Sequence, residues 1–459
     1  MESNRHPPAP PHQRLTLGLK LGYGIGDVGS NIFIVTSGLF LLFFLTNTVG
    51  VSPGPAGLVL LFPKLWDVVT DPVMGAISDA THSRWGRRRP YLLLSAVPFG
   101  LSFFFLFVAP DHSSELANAI HVGLLFALGC TVFTMFNVPY SSMVPELTDD
   151  YNERTSVTSF RMVGSSVGVL LAGALAMPLV ELGGKGATGF RFMGAVLAGL
   201  ITLFSLACFW GTRYARTLPP ATKSPPFGEQ VKIALRNRPF AILVGMYVFQ
   251  SLAMGVLMAG LVYYVKYVMD LPETAMGVIF PIFLVTGIAF IPVWVKVSAR
   301  LGKIRAYRIG LLMLAGVLFS FFFTTASLLP LFYAQVFLLG VGFASFQLFP
   351  FSMMPDTVEY DELQSGLRRE GIFSGVWSSA QKTAYSVGPS IVGFALAQAG
   401  FLTEGAQPPT VALGIRIVFC LFTSAMLALS LLFLTRYDLT EARFETIKQA
   451  ISDRIATER

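Results

Sequence analysis

Long apolar runs dominate this chain and decide what it can fold into. A hydrocarbon core about 30 Å thick is crossed by about 20 consecutive apolar residues in a helix. Such runs recur at about 19–46, 54–79, 90–109, 116–145, 157–181, 190–212, 239–268, 273–298, 309–328, 331–355, 373–399 and 410–435. Backbone amides in lipid must be satisfied within their own segment, so the runs read as twelve transmembrane helices of an all-α integral membrane protein. Only 13% of the residues are charged, about half the fraction with which a soluble domain clothes its surface. A soluble globular chain is thereby excluded. The first run follows a polar, proline-rich head, MESNRHPPAPPHQR, and ends without a small-residue cleavage site, so it reads as a retained helix and not a signal peptide.

The net charge of +7 is not spread over a basic face. It gathers in short connectors, which is the mark of membrane topology and gives no reason to expect a nucleic-acid partner. Arg84, Arg87, Arg88 and Arg89 follow the second run, Arg213 to Arg238 surround the sixth-to-seventh connector, and Arg300, Lys303, Arg305 and Arg308 follow the eighth. By the positive-inside rule these connectors and both termini are expected to be cytoplasmic. The chain then divides into a polar tail (1–16), a first six-helix bundle (17–212), a proline-rich linker (213–238), a second six-helix bundle (239–436) and a C-terminal tail (437–459). Cys130, Cys208 and Cys420 lie in apolar runs with no telling spacing and are expected to be reduced thiols.

The halves resemble one another at an offset of about 210 residues: FNVPYSSMVPEL returns as FQLFPFSMMPDTV, and DATHSRWGRRRPY as VSARLGKIRAY. Two related six-helix units joined by a linker form the plan of the major facilitator superfamily, with a substrate cavity between them at mid-membrane depth.

Ionisable residues inside such helices cost about 2.5–3.5 kcal/mol each and are functional candidates. In FPKLWDVVTDPVMG, Lys64, Asp67 and Asp71 fall at i, i+3 and i+7, on one helical face. Two carboxylates four residues apart in a low dielectric repel each other, and a proton or a bound cation relieves the repulsion. A Lys64–Asp67 bridge that only fixes packing is the plainer alternative for that pair. Thr134 and Asn137, one turn apart on the fourth helix, add oxygen ligands suited to a hard cation; interhelical hydrogen bonding is their plainer role. Asp27, Arg161, Lys382 and Arg416 are the other isolated charges. Lys382, ten residues into its helix, is placed to answer the second-helix carboxylates across a cavity. After the second helix, GAISDATHSRWGRRRP carries Gly75, Asp79, Arg84, Gly86, Arg87 and Arg88. This motif resembles the facilitator loop signature, in which an acidic helix end and a basic loop form a conformational latch.

Together, GYGIGDVGSN, WDVVTDPVMG, SRWGRRRPY, NVPYSSMVPELTDDYNERTS and the Lys382 segment resemble the glycoside-pentoside-hexuronide:cation symporter family over roughly residues 16–436. The resemblance implies a sodium or proton site at Asp67, Asp71, Thr134 and Asn137, with Lys382 assisting and Lys64 standing where a family member has arginine. It implies a sugar site at Asn31, Asn137, Ser141, Arg161, Gln347 and Lys382, and charge-pair or coupling roles for Lys64, Lys382 and Asp27. Asn31 and Asn137 replace sugar-binding carboxylates of the family, and Ser141 and Gln347 replace aromatics. A sugar or glycoside is therefore the first expectation and a lysolipid the second.

A membrane enzyme is disfavoured, because His6, His12, His82, His112 and His121 are scattered without metal spacing and no Walker or GxSxG element is present. A passive facilitator would differ from a symporter only in lacking the cation site. No cofactor is expected beyond a coupling sodium ion or proton. The expected partners are a small-molecule substrate and the bilayer of a bacterial inner membrane, with the monomer as the working unit.

Overall fold

The computed structural model describes residues 15–148, 150–215, 227–366, 369–439, 443–447, 449 and 450. The polar head and the middle of the sixth-to-seventh connector, including Arg216, lie outside the described residues. Among the described residues, twelve long helical spans follow one another: α1 (Leu17–Val49), α2 (Pro53–Ala80), α3 (Arg89–Leu106), α4 (Glu115–Ser141), α5 (Tyr151–Leu182) and α6 (Gly186–Gly211). The second set is α7 (Arg238–Tyr267), α8 (Glu273–Leu301), α9 (Lys303–Phe321), α10 (Ala326–Ser365), α11 (Glu370–Gln398) and α12 (Pro409–Thr435). Two short helices, Val144–Leu147 and Phe227–Arg236, sit in connectors.

Among the described residues, ten of these spans are long and apolar enough to cross a membrane. The other two, α2 and α11, have 28 and 29 residues and so are equally long, but polar side chains dilute them. These two helices are packed against each other along the contact between the two sets. Such dilution is tolerated because those residues face a protein neighbour or a cavity instead of lipid.

Several boundaries differ from the apolar runs. α10 continues through Pro350 and Pro355 to Ser365 instead of stopping near 355. The polar segment EYDELQS stays helical until Gly366, whose φ of 71° ends it with a left-handed cap. α9 begins at Lys303, six residues before its apolar run, directly after Gly302. The fourth run splits at Ser141 into α4 and the short helix Val144–Leu147.

Within the first set, α1 packs on α5 and α6, α2 on α4, and α3 on α4 and α6; within the second, α7 packs on α11 and α12, and α10 on α8 and α9. Small residues permit the closest approaches: a Cβ on Gly388 of α11 would lie 2.1 Å from the Gly255 backbone of α7. At the start of α1, Glu153 accepts hydrogen bonds from Lys20 Nζ and the Leu15 amide, and the Lys20 bond holds this carboxyl below its usual range. The three cysteines are free and buried.

The sets meet through α1–α7, α2–α11 and α5–α8. At the end of the molecule opposite the start of α1, Thr46 and Tyr263 share a hydrogen bond of 2.6 Å, and Tyr267 donates to Asn47. There too Ser390 donates to the Gly57 carbonyl at 2.7 Å, and Gly277 lies against Ala174 and Pro178. Neutral hydrogen bonds therefore join the halves at this far end, with the Lys266 ammonium of α7 5.0 Å from the Phe43 ring of α1 beside them.

Candidate functional site

Residues from α2, α4 and α11 converge where the sets touch. Asp71 accepts from the Thr134 hydroxyl at 2.8 Å through Oδ1 and pairs with Lys382 Nζ at 2.5 Å through Oδ2. This ion pair joins residues 311 apart in sequence and ties the first set to the second. One turn away on α2, Asp67 Oδ2 lies 3.7 Å from Lys64 Nζ, while its other oxygen, Oδ1, is buried with no hydrogen-bond partner. The Lys64 ammonium also stands 5.6 and 5.2 Å from the ring centres of Phe33 and Phe126, whose faces attract a cation. Three charges predicted on one face of one helix thus occupy two adjoining pairs, with one carboxylate oxygen unsatisfied.

A second charge pair lies between α1 and α5: Arg161 Nε donates to Asp27 Oδ2 at 3.0 Å. Its guanidinium is 5.3 Å from the Tyr140 ring, which stacks on Tyr23 at 4.6 Å. The two tyrosines also exchange hydrogen bonds, each hydroxyl reaching the other's carbonyl at 3.1 and 2.9 Å. Asn31 donates its amide to the Asp27 carbonyl at 2.8 Å, and Ser141 turns its hydroxyl back to the Val138 carbonyl at 3.1 Å. Asn137 makes no hydrogen bond among the described residues and does not touch Asp71 by one. Gln347 lies apart, on α10.

Two of the cavities between the sets adjoin one another. One of about 320 Å³ is lined by Lys64 and Asp67 of α2 and by Gln381, Lys382 and Tyr385 of α11. The other, of about 210 Å³, contains Gln347 and shares Gln381 and Tyr385 with the first.

The latch motif is an ion-pair cluster centred on a residue the motif does not contain. Glu146, in the short helix after α4, receives Arg87 at 2.7 Å and also Arg88, and Arg88 reaches Asp79 at 2.8 Å. Arg87, Arg88 and Glu146 are each less than 10% exposed. Gly86, with φ 86°, makes the turn that brings both arginines inward. Arg84 stacks on Trp85 at 4.8 Å, and a methyl on Gly75 would meet only Val138, at an ordinary 3.9 Å. The second half repeats the device: Lys303 pairs with Asp356 at 2.7 Å, and Arg369 with Asp361 at 3.0 Å. The repeat alignment of VPEL with MPDT carried the signal for Glu146. Elsewhere, His112 and His121, which line neither cavity, stand 3.2 Å apart near the start of α4.

Residues 22–441 match the family described as MFS/sugar transport protein. The putative glycoside/cation symporter YagG of Escherichia coli (strain K12) is 31% identical over 456 residues, covering 96% of each chain. The inner membrane symporter YicJ of the same organism is 28% identical, covering 95% of each chain. The fold is shared with a bacterial homologue of the human lysosomal transporter Spinster, solved inward-facing and unoccupied, with a TM-score of 0.67 at 13% identity over 95% of this chain and 97% of that one. By these matches the chain belongs to the MFS/sugar transport protein family of the major facilitator superfamily, and is therefore a multi-pass membrane transporter and not an enzyme.

Proposed function

We propose that the protein is a cation-coupled symporter of a sugar or glycoside that works by alternating access. The observation that carries this reading is the Asp71–Lys382 pair beside the unsatisfied Asp67 oxygen. A buried carboxylate oxygen without a donor is an open ligand position for sodium or a proton. Lys382 then neutralises Asp71 when the ion is absent, and its release when the ion arrives alters the contact between the two halves. The printed name of the relative YagG, a putative glycoside/cation symporter, supports the same class. On this reading residues 17–212 and 239–436 rock as two bundles about the linker, in a bacterial inner membrane, with both termini cytoplasmic and the monomer as the working unit.

Linkage supplies the test: cation and substrate must raise each other's affinity by the same factor. Substrate affinity and accumulation are measured in proteoliposomes, with and without sodium and across pH, in wild type and Asp71→Asn. Coupling predicts a cation-dependent affinity that disappears in the variant. Accumulation indifferent to both gradients in the wild type would instead make the protein a facilitator with a structural carboxylate pair.

A further inference from the structure

The two cavities differ in chemistry. The larger holds Lys64, Asp67 and Lys382, whereas the smaller contains no charged side chain among its lining residues. Its apolar wall comes from Phe280 and Phe283 of α8, Phe343 and Phe346 of α10, and Met162, Met254 and Met258. Aromatic rings give such a wall a large contact area, and methionines let it adapt to a guest.

One polar group of this wall is buried without a partner among the described residues. Ser251 is 1% exposed, and its hydroxyl has no hydrogen bond. Leaving a hydroxyl buried and unpaired is costly, and a ligand atom is the partner that would repay it. The Gln347 and Gln381 amides line the same space, each able to donate and accept.

The small cavity continues the Asp27–Arg161 cluster. On α1, Asp27, Asn31 and Val35 follow one helical face at four-residue spacing, and Val35 reaches the cavity. On α5, Arg161, Ser165 and Val169 do the same, with Ser165 and Val169 in the wall. Four residues of helix rise about 6 Å, so the surface passes from charged to amide to apolar within about one ring's length per step.

We propose that this neutral cavity is an aglycone subsite. The ligand is a glycoside whose sugar lies by Asp27, Asn31 and Arg161, and whose aglycone is a compact aromatic ring carrying a hydroxyl or ether oxygen that meets Ser251. This deepens the symporter reading and rests on its glycoside class. The volume of about 210 Å³ is below that of sites for drug-sized ligands, about 300–1,000 Å³; it suits one ring, not a long acyl chain.

The test compares methyl, phenyl and 4-hydroxyphenyl glycosides of glucose, galactose, xylose and glucuronic acid, by binding and counterflow in proteoliposomes. The ratios within each sugar series are read, so the sugar's identity does not enter. Burying a phenyl ring predicts phenyl over methyl by roughly 10- to 100-fold in affinity. Met254→Trp fills the cavity and should collapse that ratio. Ser251→Ala removes an unpartnered hydroxyl, so it should raise the melting temperature of the ligand-free protein slightly and erase the 4-hydroxyphenyl advantage over phenyl. Equal affinities for methyl and phenyl glycosides overturn the subsite while leaving the symporter reading intact. So does a ratio that neither variant changes. Stabilisation by lysophosphatidylglycerol with transport of no glycoside overturns both.

Discussion

From the first six helices the cavities and their surroundings receive Lys64, Asp67 and Asp71 on α2, with the Asp27–Arg161 pair beside them. From the second six they receive Ser251, Gln347, Gln381 and Tyr385, and a single charge, Lys382. That one charge is paired across the divide with Asp71. The contrast teaches how two energetically separate events become linked. A cation site wholly inside one half could fill and empty without regard to the other half. On the proposed symporter reading, the charge balance of the cation site is completed only while α2 and α11 stay in register, and the same two helices line the larger cavity.

The most direct way to break this contrast is to remove charge on one side and polarity on the other. Asp71→Asn keeps an oxygen ligand but removes the charge that makes hard-cation binding favourable. Uphill accumulation should fall to equilibrium in proteoliposomes while downhill exchange persists. Gln347→Ala, on the neutral side, should weaken substrate affinity by about tenfold or less, the worth of one hydrogen bond, and leave the accumulation ratio alone. A Gln347→Ala protein that no longer concentrates substrate would show that coupling is shared by both halves.

The repeated latches offer the second contrast. In the first half two arginines converge on one buried carboxylate; in the second, Lys303 is 43% exposed where it meets Asp356. Removing one member of a buried pair costs about 3–5 kcal/mol because the partner charge is stranded, whereas exposed pairs are worth about 0–1 kcal/mol. Glu146→Gln should therefore lower the thermal midpoint of the detergent-solubilised protein several times more than Asp356→Asn. Equal drops would mean that both ends of the repeat bear the same structural load.

Sequence reading was strongest where residue chemistry conflicts with lipid. Lys64, Asp67 and Asp71 stand out in an apolar run, and their helical spacing already puts them on one face. The partners were harder to read. Nothing local to Arg87 points to Glu146, 59 residues on, because the contact is made by packing α4 beside α2. Ser251 and Gln381 give no signal in the sequence, because serine and glutamine in a membrane helix are commonly interhelical ties, and only the cavity distinguishes them. Helix ends were misread for a related reason: apolar runs report where lipid is, and α10 continues as a helix beyond it.

The far-end seal gives the smallest expected effect and separates charged from neutral links between the halves. The Tyr263–Thr46 and Tyr267–Asn47 bonds carry no net charge and draw one partner from each half. In Tyr263→Phe, Thr46 can still donate to the Leu42 carbonyl, 3.1 Å away, so no group is stranded and only the net value of a hydrogen bond, about 1 kcal/mol, is lost. The equilibrium between far-end-closed and far-end-open forms should then move about fivefold toward open. An Ile34→Cys reporter, on the wall of the larger cavity, reads this as a faster reaction with a membrane-impermeant maleimide added at the far side. The native cysteines are all buried and contribute little background. If Tyr263→Phe leaves the labelling rate unchanged while Lys382→Gln raises it, the seal is held by the charged bridge and the neutral contacts merely follow it.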